Sequence, residues 1–137
     1  MNLSPLTMSF FAIFLTACRV YAAADRFAGE YADKKFLNGQ GVLQLSLEQN
    51  GKNVSIFFSA AYNDGHGAAP EADGKGEITS KGTVEFKWED SFKNAGTGTI
   101  SRSGSDVILS IKMTRVADAR CLEFYRPNMR LKPAGKK

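Results

Sequence analysis

The sequence predicts an all-β protein, an antiparallel meander of about eight strands that closes into a small barrel behind an N-terminal signal peptide. Three observations carry this. Apolar and polar residues alternate in short runs from Phe27 onward, pairs of Gly, Asn and Asp punctuate the runs, and no 3.6-residue period is sustained in that region. The chain has 137 residues, 43% of them hydrophobic, with 13 Gly against 4 Pro, a size that makes one domain over residues 23–137.

The strands follow in order. An opening run covers Phe27 to Phe36, and the clearest run is Val42 to Leu47, where Leu43, Leu45 and Leu47 share one face and Gln44, Ser46 and Glu48 the other. Asn50-Gly51 is a hairpin turn signal, after which Val54, Ile56 and Phe58 return. Further runs are Gly76 to Ser80, Thr83 to Trp88, Gly98 to Arg102, Val107 to Met113 and Leu122 to Leu131, with turns at Lys81-Gly82 and Ser103 to Asp106. Sequential strands on short turns are best satisfied by closure, which removes aggregation-prone edges. The outline is a small calycin-like β-barrel, with an open two-sheet sandwich as the structural alternative. Phe27, Phe36, Phe58, Phe86, Trp88 and Phe124 read as filler of its interior. One connection stands out, the twelve residues from Asn63 to Gly74 (NDGHGAAPEADG), because long loops in compact domains are disproportionately functional or mobile.

Leu6 to Ala17 (LTMSFFAIFLTA) is an apolar block of signal-peptide length, too short to span a bilayer. Two cleavage readings compete. Val20-Tyr21-Ala22 suits an ordinary signal peptidase and gives a signal peptide over 1–22. Leu15-Thr16-Ala17-Cys18 matches a bacterial lipobox, in which the signal ends at Ala17 and Cys18 is lipidated. Nothing before Arg19 is basic, and eight residues separate Cys18 from Phe27, a short tether for a lipid anchor. In either reading Cys121 has no intramolecular partner, and with Leu122 and Phe124 beside it the thiol reads as a small packed apolar group. The expected location is the periplasm or the exterior, with membrane contact only through a lipid on Cys18.

The net charge of +4 is too mild to imply nucleic acid. Its distribution says more: residues 119–137 hold six basic residues against one acidic, while residues 23–118 sum to −2. The last strand and tail are therefore basic on a mildly acidic body. Asp64, His66, Glu71 and Asp73 in the long loop match no metal-ligand spacing, and neither a metal nor a cofactor is expected. Glu89-Asp90-Ser91 is the densest carboxylate cluster, but strand neighbours point to opposite faces and do not converge on a substrate. No nucleophile, base and orienter set is present, so no enzyme is expected. Asn53-Val54-Ser55 matches a glycosylation sequon incidentally, inside a strand run.

Ser59-Ala60-Ala61-Tyr62-Asn63-Asp64-Gly65, followed by Ser80-Lys81-Gly82-Thr83-Val84, resembles the two motifs of the bacterial periplasmic C-type lysozyme inhibitors, small β-barrels that are often lipoproteins. In that family a Ser-Gly-x-x-Tyr segment and a later Lys-Gly segment present a Ser and a Lys to the lysozyme cleft. The resemblance implies that Ser59, Tyr62 and Lys81 contact a protein partner, with Asp64 and His66 of the adjoining loop as further candidates. Here Ala60 replaces the motif Gly, the interval between the segments is longer, and the family's disulfide has no counterpart. The implied function is an exported, non-enzymatic inhibitor or immunity protein directed at a cell-wall hydrolase such as lysozyme, whose two carboxylates an ammonium and a hydroxyl can pair with. The alternative is a carrier of a small apolar ligand inside a lipocalin-like barrel.

Overall fold

The computed structural model describes residues 26–134; residues 1–25, which hold the expected signal peptide and Cys18, and residues 135–137 lie outside the described residues. The strands are β1 (Gly29–Phe36), β2 (Gly41–Asn50), β3 (Asn53–Tyr62), β4 (Glu71–Ile78), β5 (Val84–Asp90), β6 (Ala95–Ser103), β7 (Asp106–Arg115) and β8 (Met129–Pro133). Each pairs antiparallel with the next, and β8 pairs with β1 to close an eight-stranded barrel. The period-2 pattern survives intact in the middle strands: β5 alternates buried and exposed at every residue from Val84 to Asp90.

The turns follow from glycine. In the β2–β3 and β6–β7 hairpins a two-residue loop opens on Gly51 (φ 64°) and Gly104 (φ 65°), a conformation that side chains disfavour. The Asn50-Gly51 signal is thus displaced by one residue, since Asn50 pairs with Asn53 and Gly51-Lys52 makes the turn. Because every connection reverses direction, the barrel has two unlike poles. Gly51-Lys52, the 79–83 turn and Gly104-Ser105 define a turn pole, where residues 26–27 and Ala134 also lie. The connections 37–40, 63–70, 91–94 and 116–128 define a loop pole.

Inward positions are filled. Phe58 (1% exposed) meets Phe86, Trp88 and Tyr125 edge-on at 6.4, 5.6 and 5.8 Å between ring centroids, and Leu43, Leu45, Ile100 and Leu109 complete the same core. The aromatic residues of β5 have room because their neighbours on both sides are glycines. Phe86 lies between Gly76 and Gly98, and Trp88 between Gly74 and Gly96. A Cβ on Gly98 would stand 2.4 Å from Phe86 Cζ, and one on Gly76 would stand 2.1 Å from the Glu85 carbonyl oxygen. The Trp88 indole spans this space and donates Nε1–H to the Thr97 carbonyl at 3.0 Å. Each pole has a phenylalanine stopper: buried Phe27, whose carbonyl accepts from the Tyr31 hydroxyl at 2.8 Å, and buried Phe124, whose ring is 6.3 Å from that of Phe36.

Three sequence expectations are corrected. The run Leu122 to Leu131 is not one strand: Ala119–Phe124 forms a 3-10 helix capped by the Asp118 side chain, and only Met129–Pro133 is β8. The reason is spacing, since Cys121 and Phe124 bury one face at an interval of three, which fits 3-10 geometry and not a strand. The long loop ends at Pro70, because Glu71–Gly74 already pairs with β3 and β5 and extends β4 back from Gly76. The opening strand starts at Gly29, leaving Phe27 as the stopper ahead of it.

Candidate functional site

Three of the five partner-binding candidates meet at the loop pole. β3 ends at Tyr62 and the chain turns at once, with the Gly65 N–H donating to the Tyr62 carbonyl at 3.1 Å and Gly65 and Gly67 at φ 78° and 75°. Asn63 ties this loop to the β1–β2 connection, donating Nδ2–H to the Gly39 carbonyl at 2.9 Å. Asp64 Oδ1 accepts the His66 backbone N–H at 3.1 Å and pairs with His66 Nδ1. The imidazole is thereby laid on the Tyr62 ring, 4.1 Å between centroids at 23°. Tyr62 also packs edge-on to Phe124 at 5.5 Å, so an exposed imidazole lies on a half-buried tyrosine that rests on a buried phenylalanine.

Charges set the character of this patch. The Asp64 carboxyl is held below its ordinary value, first by the His66 backbone N–H and then by the imidazole. The Tyr62 phenol is raised, first by the Glu123 carboxylate beside it and then by burial, with Arg126 opposing. Glu123 and Arg126 come from the 116–128 connection, where Arg126 Nε–H donates to the Glu123 carbonyl at 3.0 Å. They share a surface groove with Tyr62, Gln40 and Asn128. Sequence reasoning counted Arg126 only as part of a basic tail; once Leu122–Leu131 is misread as a strand, nothing local shows that it reaches Tyr62.

The other two candidates stand apart. Ser59 is half-buried on the outer side of β3, opposite Gln44 and Glu71, three residues before Tyr62. Lys81 lies in the exposed turn between β4 and β5, beside the start of β3, where the Ile78 N–H donates to the Lys52 carbonyl at 2.9 Å. The length of β3, roughly 30 Å at about 3.3 Å per residue, separates Lys81 from Tyr62. Tyr62 and Lys81 therefore occupy opposite poles. Glu71 and Asp73 point outward from β4, away from Asp64 and His66, and among the described residues no three His, Cys, Asp or Glu side chains are grouped to hold a metal.

Glu89 and Asp90 diverge as strand geometry requires. Glu89 is exposed and ion-paired with Arg115 at 3.3 Å, whereas Asp90 is 5% exposed beneath the loop pole. Asp90 accepts from the N–H groups of Phe92 and Asn94, from Asn94 Nδ2 and from the Tyr125 hydroxyl, all at 2.8 to 2.9 Å. Asn94 Oδ1 in turn accepts from the N–H groups of Ala117 and Asp118 at 2.8 and 2.9 Å. This network fastens the 116–128 connection to the barrel, and with it Glu123 and Arg126. Burial pushes the adjacent Cys121 thiol up to about 11, with the Asp90 and Asp118 charges adding to the effect.

The whole arrangement offers stacking surface, a carboxylate and a guanidinium on a rigid support, which suits recognition. No protein family, curated protein or solved structure matches the chain. Among the described residues no helix is long and apolar enough to cross a membrane.

Proposed function

We propose that this is an exported, non-enzymatic binding protein that engages a protein partner through the loop pole, as an inhibitor or immunity factor directed at a cell-wall hydrolase such as lysozyme. The observation that carries the reading is the packing of Phe58, Phe86, Trp88 and Tyr125 across the barrel interior. It favours an outer surface over the interior volume that a ligand carrier requires. At the loop pole, Arg126 supplies a cation beside Tyr62, the role that the motif resemblance gives to Lys81. A guanidinium matches the geometry of a catalytic carboxylate.

The test is lysis of a peptidoglycan suspension by a C-type lysozyme, with residues 23–137 added at micromolar concentration. Inhibition is expected, weakened by Tyr62→Ala and Arg126→Ala and retained in Lys81→Ala. Loss in Lys81→Ala alone would move the contact to the turn pole. No inhibition of any lysozyme or amidase, together with saturable uptake of a fluorescent fatty acid, would replace this reading with the carrier.

A further inference from the structure

The barrel is closed by its weakest ladder. β1 and β8 pair only at Tyr31 with Pro133 and at Ala32 with Lys132, extended by one bond from the Ala134 N–H to the Glu30 carbonyl at 2.8 Å. Every residue from Gly41 to Asn50, by contrast, pairs across β2–β3. Pro133 also brings no N–H to the seam. Toward the loop pole no ladder joins Asp33–Phe36 of β1 to Met129–Leu131 of β8, and β1 shifts register against β2 between Asp33 and Phe36. Within that stretch of β1 the Lys35 N–H donates to the Asp33 side chain at 3.0 Å and the Gly39 N–H donates to the Lys35 and Phe36 carbonyls at 3.0 and 3.2 Å, so Lys34 is left as the residue with main-chain groups to offer. A bulge of this kind re-aims a strand and ends its pairing.

Two surface grooves adjoin this interval and share Asp33 and Arg130. One is lined by Ala32, Lys34, Lys35 and Lys132, and the other by Phe36, Tyr62 and Arg126. Five basic side chains border the two, Lys34, Lys35, Arg126, Arg130 and Lys132, against the acidic Asp33 and Glu123. Arg130 is held by Asp106 at 3.0 Å and Ser103 at 3.1 Å, whereas among the described residues Lys34, Lys35 and Lys132 are in no ion pair. Two strand edges without a shared ladder, under a rim of cations, match the chemistry of one occupant.

We propose that the β1–β8 seam takes up an extended acidic segment of a partner protein by strand addition. Main-chain groups of the incoming segment pair with the edge of β8 at Met129–Leu131 and with β1 at Lys34, and its carboxylates meet Lys34, Lys35 and Lys132. The surface adjoins the loop-pole contact at Tyr62 and Arg126, but its Lys34, Lys35 and Lys132 take no part in that contact and strand addition does not depend on the hydrolase reading.

The experiment uses fluorescence anisotropy with three labelled peptides and the unmutated chain: alternating Glu-Val, alternating Lys-Val, and Glu-Val with a central Pro. The Glu-Val peptide is expected to bind with an affinity that falls as salt rises. The Pro peptide, with the same charge and one N–H fewer, is expected to bind about tenfold more weakly. Lys34→Glu with Lys132→Glu is expected to abolish binding while leaving the thermal midpoint unchanged. If that variant does not fold, Lys35→Gln with Lys132→Gln is expected to flatten the salt dependence. Equal binding of the Glu-Val and Pro peptides would overturn strand addition. Binding of Lys-Val, or of phosphatidylglycerol vesicles with none of Glu-Val, would overturn the acidic-peptide assignment.

Discussion

Asp90 is a buried charge that the fold uses as a fastener. Its two carboxylate oxygens accept from four donors, so removing them strands four polar groups at once. Asp90→Ala is expected to cost about 3–5 kcal/mol in urea denaturation, against about 1–2 kcal/mol for Tyr125→Phe, which leaves the other three donors satisfied. Cys121 sits beside this network with a thiol raised from 9.0 to about 11, and burial also raises the Tyr125 phenol. For groups whose folded value is raised, the stabilising contribution is full below the unfolded value and disappears as pH rises through the folded one. Stability measured by urea midpoint is therefore expected to fall from about pH 9 upward, and Cys121→Ala to delay the onset to about pH 10, where tyrosine begins to titrate. Asp64 and Asp118 act in the other direction. Their lowered values contribute stability above the ordinary carboxylate range and lose it as pH falls below that range. Both side chains interact at the surface, so the acid effect is expected to be small beside that of Asp90→Ala.

The strands show what local pattern can and cannot transmit. Leu43, Leu45 and Leu47 against Gln44, Ser46 and Glu48 revealed β2 because burial there has a strict period of two, and all three leucines are buried. β4 was read too short because its inward positions include Gly74 and Gly76, which have no side chain to mark a face. Their meaning lies on another strand, in Phe86 and Trp88. The coupling is testable: Gly98→Ala is expected to destabilise by about 1–3 kcal/mol through the clash with the Phe86 ring, and Phe86→Leu to relieve part of that cost in the double variant. Gly76→Ala is expected to show no such relief, since its closest contact is the Glu85 backbone oxygen. The candidate site was legible in the same partial way. Tyr62, Asp64 and His66 are close in sequence, and a Gly-flanked loop brings them together. Lys81 follows a strand that reverses direction, which places it at the far pole, and Arg126 reaches Tyr62 only because Asp90 and Asn94 hold down the segment that carries it. Both facts depend on the path of the whole chain.

At the scale of the molecule, charge and closure coincide. The basic final strand lies beside Lys34 and Lys35 of the first, a grouping that only ring closure produces, since the two segments are nearly a chain length apart. The short ladder there is expected to open before the rest of the barrel. In native-state hydrogen exchange the Ala32 and Lys132 amides should exchange at least about tenfold faster than those of Leu45 and Phe58 on the long β2–β3 ladder, and equal protection would show a single cooperative unit. The two poles also fix an orientation. Arg26 and Ala134 emerge together among the tight turns, while Tyr62, His66 and Arg126 stand at the far end of the strands. A tether at either end of the chain, whether a lipid, a surface or a fused protein, would hold the barrel by its base and point the aromatic patch outward, free of the attachment.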